Sequence, residues 1–149
     1  MGTRQLISGI LGDLKDTFAE SDYLEEVLKH SEIKESITDY PMLQIYVQHG
    51  EQDPTGTADR STFGAQQRQT RLVIHMDYYA QPRSHIGEDM ERLVDGIDEI
   101  SAIIEAQDKK PYFGSEAIKS FSWNWDRVEF VYGNNNYVGA RFYLRVRIY

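Results

Sequence analysis

Cysteine is absent from the 149 residues, which excludes disulfide cross-links, thiolate metal sites and a cysteine nucleophile. Stability therefore has to come from packing or from assembly. Proline is scarce, at four residues, and each falls at a break between more regular stretches, as expected of a residue that restricts its predecessor to extended conformations. No apolar run approaches the roughly 20 residues needed to span a bilayer. The start of the chain, Met1 to Arg4 followed by an amphipathic stretch, lacks the build of a cleavable signal peptide, so a cytosolic origin is expected.

What is present fits one domain over residues 1–149, long enough for one hydrophobic core and short for two. Aromatic residues make up 12% of the chain, which argues against wholesale disorder. The formal charge of -8 is unevenly placed. Residues 118–149 hold five Lys/Arg against two Asp/Glu, while the first 117 residues hold eleven against twenty-two. Overall acidity disfavours broad nucleic-acid binding, which rests on cationic side chains displacing counterions, and favours protein partners.

Leu6, Ile10, Leu14 and Phe18, with Ile7 and Leu11 beside them, form one apolar stripe at helical spacing and predict a helix over 3–19 with Thr3 as its N-cap. Residues 23–37 mix a short helical pattern (Leu24, Val27, Leu28) with turn chemistry and are expected to be mostly irregular. A strand is predicted over 42–49, then a long polar loop over 50–67, then a second strand over 68–79 in which Leu72, Ile74, Met76 and Tyr78 alternate with polar positions. Ile86, Met90, Leu93, Ile97, Ile100 and Ile104 give a second helix that Ser84 can cap. A closing hairpin is expected from 118–132 and 137–149 about a Gly133-Asn134-Asn135-Asn136 turn.

In the last strand Val138, Ala140, Phe142, Leu144, Val146 and Ile148 alternate with Tyr137, Gly139, Arg141, Tyr143, Arg145 and Arg147. One face is thereby assigned to the core and the other to water or a partner. The expected fold is α+β, with the order α-β-β-α-β-β, a four-stranded mainly antiparallel sheet and both helices on one face.

Candidate chemistry is sparse. The histidines at 30, 49, 75 and 85 do not converge at metal-ligand spacing, so no metal site is predicted. His75 and Asp77 share a strand face and form the one candidate acid/base pair, against the plainer expectation of two polar side chains facing water. The acidic run Glu88, Asp89, Glu91, Asp95, Asp98 and Glu99 reads as a solvated helix face. Asp53 to Asp59 lacks the alternating oxygen ligands of a calcium loop. Phe121, Trp123 and Trp125 project from one strand face and read as core or interface anchors rather than a base-stacking platform. No catalytic residue and no cofactor is predicted.

The element order, the long polar tip between the first two strands, the strand entry Tyr40-Pro41-Met42-Leu43-Gln44-Ile45, the helix 84–107 and the closing hairpin with Gly139-Ala140-Arg141-Phe142 together resemble the tail-terminator (tail-completion) proteins of long-tailed bacteriophages. The resemblance implies a non-enzymatic virion protein that forms a ring, typically a hexamer, on the completed tail tube and meets the head connector. Its partners would be further copies of itself, the tail tube protein and the head connector or adaptor. DNA would pass only in transit, repelled by acidic walls. The site of action would be the host cytoplasm during assembly and then the neck of the virion. Contact residues are expected at Arg60 and Phe63 in the loop and at Arg141, Tyr143, Arg145 and Arg147 on the last strand. A head-completion or connector adaptor is the alternative in the same class. A small-molecule-binding or enzymatic α+β domain using His75 and Asp77 is the alternative outside it.

Overall fold

The computed structural model describes residues 3–33, 40–52, 70–82, 86–132 and 135–148. In chain order the elements are α1 (Thr3–Ala19), β1 (Glu26–Lys29), β2 (Met42–Gln52), β3 (Thr70–Pro82), α2 (Ile86–Glu105), a 3-10 turn (Tyr112–Gly114), β4 (Ile118–Tyr132) and β5 (Asn135–Ile148). The class is α+β; among the described residues there are two helices and one five-stranded mixed sheet in the order β1-β2-β3-β5-β4.

The sheet departs from the four antiparallel strands expected of the sequence. The added strand is β1, which runs parallel to β2 with Val27 opposite Leu43 and occupies part of the stretch expected to be irregular. Leu24, Val27 and Leu28 are all buried, and Val27 and Leu28 belong to different apolar clusters on the two sides of the sheet. A strand covered on both faces loses the polar alternation that would have revealed it. The remaining pairings, β2 with β3, β3 with β5 and β4 with β5, are antiparallel.

Strand ends also shift. Gly50, Glu51 and Gln52 belong to β2 rather than to the loop, because they pair with Leu72, Arg71 and Thr70. Asn135 and Asn136 pair with Tyr132 and Val131 instead of forming part of the turn. The rest of the polar loop, including Arg60 and Phe63, lies outside the described residues, as do Ser84, Gly133 and Asn134; Thr3 opens α1, and its side chain lies outside them too.

Both helices sit on one face. Ile10, Leu11, Leu14 and Phe18 of α1 join Leu93, Ile97, Ile100 and Ile104 of α2 in a single cluster with Leu43, Ile45, Ile74, Met76, Tyr78, Phe142 and Leu144 of the sheet. Met90, expected in that stripe, is 37% exposed and meets Arg127 of β4 through its sulfur, at 3.6 Å. Helix α2 lies close to the sheet because residue 96 is glycine. A Cβ there would come within 1.9 Å of the Tyr78 ring, whose hydroxyl reaches the Arg92 carbonyl at 3.1 Å. The end of α2 is fastened to the 3-10 turn by Gln107, whose side-chain oxygen accepts from the Phe113 amide at 2.7 Å. Phe113 adopts a left-handed backbone (φ 55°), a conformation disfavoured for a bulky residue. It is wholly buried between Phe18 and Phe121, with ring centroids at 6.1 and 5.1 Å.

Candidate functional site

The face of the sheet turned away from the helices is the place to look for function, because it is built from the polar half of each strand's alternation. It divides into three zones along the strand direction.

At the end nearest the β4–β5 turn the face is apolar. Tyr79, Phe130 and Tyr137 pack with Leu28 and Met42 into a second buried cluster, with Tyr79 and Phe130 centroids 4.5 Å apart and Tyr79 and Tyr137 at 5.8 Å. Tyr137 was expected to meet water or a partner; it is 2% exposed, sealed by its aromatic neighbours. Gly139 makes this zone possible. A Cβ at that position would lie 2.1 Å from the Tyr78 carbonyl oxygen and 2.7 Å from the Phe130 ring.

The middle zone is a polar network. Asp77 is buried and accepts from Arg141 Nε at 2.8 Å and Nη2 at 3.2 Å, and from the Tyr46 hydroxyl at 2.7 Å. Register places Asp77 directly between Gln44 of β2 and Arg141 of β5. The hydrogen bonds to Asp77 hold the Arg141 guanidinium even more firmly protonated than usual, and burial, then the neighbouring Asp77 carboxylate, push the Tyr46 phenol upward. Arg141 also lies over the Phe130 ring at 5.6 Å, linking the first two zones.

His75 stands one step along the same face, buried between the rings of Tyr46 and Tyr143 at 5.5 and 5.0 Å. Burial, reinforced by the Arg141 cation and opposed by Asp77, holds its imidazole below the ordinary histidine range. Its Nδ1 and the amide nitrogen of buried Gln44 make no hydrogen bond among the described residues. His75 and Asp77 thus share a face, as read from the sequence. The Asp77 carboxylate is engaged by Arg141 and Tyr46. Among the described residues no group of three or more His, Asp or Glu is placed to hold a metal ion.

The third zone is cationic. Arg71 and Arg147 stand opposite one another across β3 and β5, while Ser120 faces Arg147 and Ser122 faces Arg145 across β5 and β4. These residues line a cleft of about 290 Å³. Arg145 is exposed, and its guanidinium donates to Asn124 Oδ1 at 2.5 Å. Of the residues expected at an interface, then, Arg145 and Arg147 lie in this cleft, and Arg141 and Tyr143 are engaged in the network beside it. The sequence alternation placed all four on one face. It could not supply Arg71, whose position depends on β3 being the neighbour of β5.

A separate surface lies on the helix side at the sheet's edge. β4 is the last strand in the sheet order and runs for 15 residues. Phe121, Trp123 and Trp125 face the helix side together, as the alternation predicts, with Trp123 and Trp125 centroids at 6.4 and 6.5 Å from Phe142. Phe121 and Trp123 are half-buried, whereas Trp125 is 41% exposed and Val131 is 74% exposed. Met90 and Val94 add exposed apolar area on α2. Beyond them Glu88, Glu91, Asp95 and Asp98 are exposed, as expected of a solvated helix face. Asp89 and Glu99 depart from that pattern: Asp89 is buried and accepts from the Gln81 side chain, and Glu99 accepts from the Ser21 hydroxyl at 2.8 Å.

Neither a scan against models of known protein families nor a search of curated proteins finds a match to this chain. No helix among the described residues is long and apolar enough to cross a membrane.

Proposed function

We propose that this chain is a structural assembly subunit of the tail-terminator kind, closing into a ring on a phage tail tube and meeting the head connector above it. The observation that supports this reading most is the outer edge of β4. A 15-residue edge strand carries a row of backbone donors and acceptors ready to pair with another chain, a liability that a lone protein normally blunts. Here it is accompanied by exposed Trp125 and Val131 and, on the adjoining helix, by Met90 and Val94. Exposed aromatics next to an open edge are the raw material of a protein interface. The occupant of this edge is a second copy of the chain, and repetition of one such unlike-surface contact closes a ring when the rotation permits.

The tube and connector proteins, residence in the virion neck and passage of DNA belong to the same proposal. The acidity of the chain suits the last of these, since negative walls do not retain a phosphate backbone. Negative-stain microscopy of the purified protein tests it. Closed rings of uniform diameter are expected, and Val131→Lys, which places a charge at a largely exposed position on the edge strand, should abolish them while leaving the far-ultraviolet circular dichroism unchanged. Monodisperse single subunits at every concentration would refute the reading.

A further inference from the structure

Exposed apolar side chains are gathered unevenly over the molecule. Of the five large ones among the described residues, Trp125, Val131, Met90 and Val94 lie on β4 and the adjoining α2, and the fifth, Ile33, follows β1 at the other edge of the sheet. Within the larger group stands Arg127, exposed and on the same face of β4 as Trp125. Its guanidinium rests against the Met90 sulfur at 3.6 Å, and among the described residues no carboxylate pairs with it. Tryptophan, methionine and an arginine without an acidic partner make up the composition enriched where proteins meet.

The side of the molecule at β1 has the opposite character. α1 packs over β1 and β2, and residues 13–32, from the second half of α1 through β1, hold seven Asp/Glu against two Lys. One of those lysines, Lys15, is bound to Glu32 at 2.6 Å. Asp16, Glu20, Asp22 and Glu25 are exposed and have no ion-pair partner among the described residues. Asp16 and Glu20 stand at the C-terminal end of α1, where the helix dipole disfavours negative charge, and the last turn of that helix holds no basic residue to offset them. A cation brought to these carboxylates by another chain would relieve the repulsion.

Resting on the assembly reading above, we infer that the patch of Trp125, Arg127, Met90 and Val94 docks against the acidic end of α1 and its connection into β1 on the neighbouring copy, with Arg127 paired to the carboxylates there. A ring needs two unlike surfaces, so that each copy offers one to the copy ahead and the other to the copy behind. β1 and β4 are the first and last strands of the sheet order, which sets these two surfaces on opposite sides of the subunit. Opposite charge across them fixes which surface meets which. The competing partners are the exposed carboxylates Glu91, Asp95 and Asp98 of α2. They share a helix with Met90 and Val94, on the Arg127 side of the molecule, so pairing with them would join two copies about a two-fold axis and would not propagate into a ring.

The test is an exchange of charge across the contact, read by sedimentation velocity, with a thermal melt of each variant to show that the fold is kept. Arg127→Glu and the double variant Glu20→Arg/Glu25→Arg each set like charges against one another and should assemble about tenfold more weakly than the parent, or worse. Combined in one chain, the three changes restore opposite charges and should recover assembly. All three positions are exposed and the two sets lie on different elements, so the double variant carries the prediction if Arg127→Glu melts early. A parent that assembles while both variants assemble equally well, or a combined chain that stays dissociated, would overturn this inference and leave the assembly reading standing. Recovery of Arg127→Glu by Asp95→Arg, in place of the α1 changes, would assign the contact to a two-fold pair and overturn it too. A parent that remains a single subunit at every concentration would overturn both.

Discussion

At the scale of single residues, the far face of the sheet shows how a buried charge is tolerated. Asp77 has lost its water but gained two hydrogen bonds from Arg141 and one from Tyr46. Removing one partner of such a pair strands the other, at a cost of about 3–5 kcal/mol. Asp77→Asn should therefore lower stability by about that amount in urea unfolding, whereas a loss below about 1 kcal/mol would mean that the network is as weak as a surface ion pair. His75 makes a different prediction. Its native titration lies below that of an unfolded histidine, so between those two values the unfolded chain binds the extra proton. Its contribution is fully present above about pH 6.5 and is lost as pH falls through the lower native value. His75→Phe should flatten the stability profile in that window, leaving the carboxylate-driven loss at lower pH in place. A profile parallel to that of the parent protein would contradict this account.

Among elements, β5 was the most legible and β1 the least, for opposite physical reasons. Every second residue of β5 from Val138 to Ile148 enters the main core or its margin while the others face away from it, so the alternation was written plainly. Leu144 and Arg145 should accordingly respond differently to change. Leu144→Ala should cost about 2–5 kcal/mol, and Arg145→Glu less than about 0.5 kcal/mol, both read from chemical denaturation. An early-melting Arg145→Glu would show the arginine to be structural. β1, by contrast, offers only Glu26, Val27, Leu28 and Lys29, too few for a period, and it buries both faces. With Leu24 just before the strand, Val27 and Leu28 even fall at helical spacing. Alternation also reports which side a residue faces and not whether that side is covered. Tyr137 was thus placed on the correct face but not in the cluster that seals it. The arginine cleft was half legible: Arg145 and Arg147 came from the pattern of one strand, while Arg71 required knowledge of the strand order.

For the whole molecule, the central claim is that the β4 edge is covered by another copy of the chain. The helices pack on one side of the sheet, the far side carries its own aromatic cluster and polar network, and at the opposite edge the four residues of β1 pair with Met42–Ile45 of β2. β4, with its exposed Trp125 and Val131, is the longest strand and the last in the sheet order, with no strand among the described residues on its outer edge. Sedimentation velocity over a range of concentrations tests the claim most directly, run on the parent protein and on Val131→Lys, with a thermal melt of each to confirm that the fold is retained. The account predicts one discrete closed oligomer for the parent and a single subunit of unchanged melting temperature for the variant. A parent protein that sediments as a single subunit throughout, or a variant that assembles as the parent does, would contradict it.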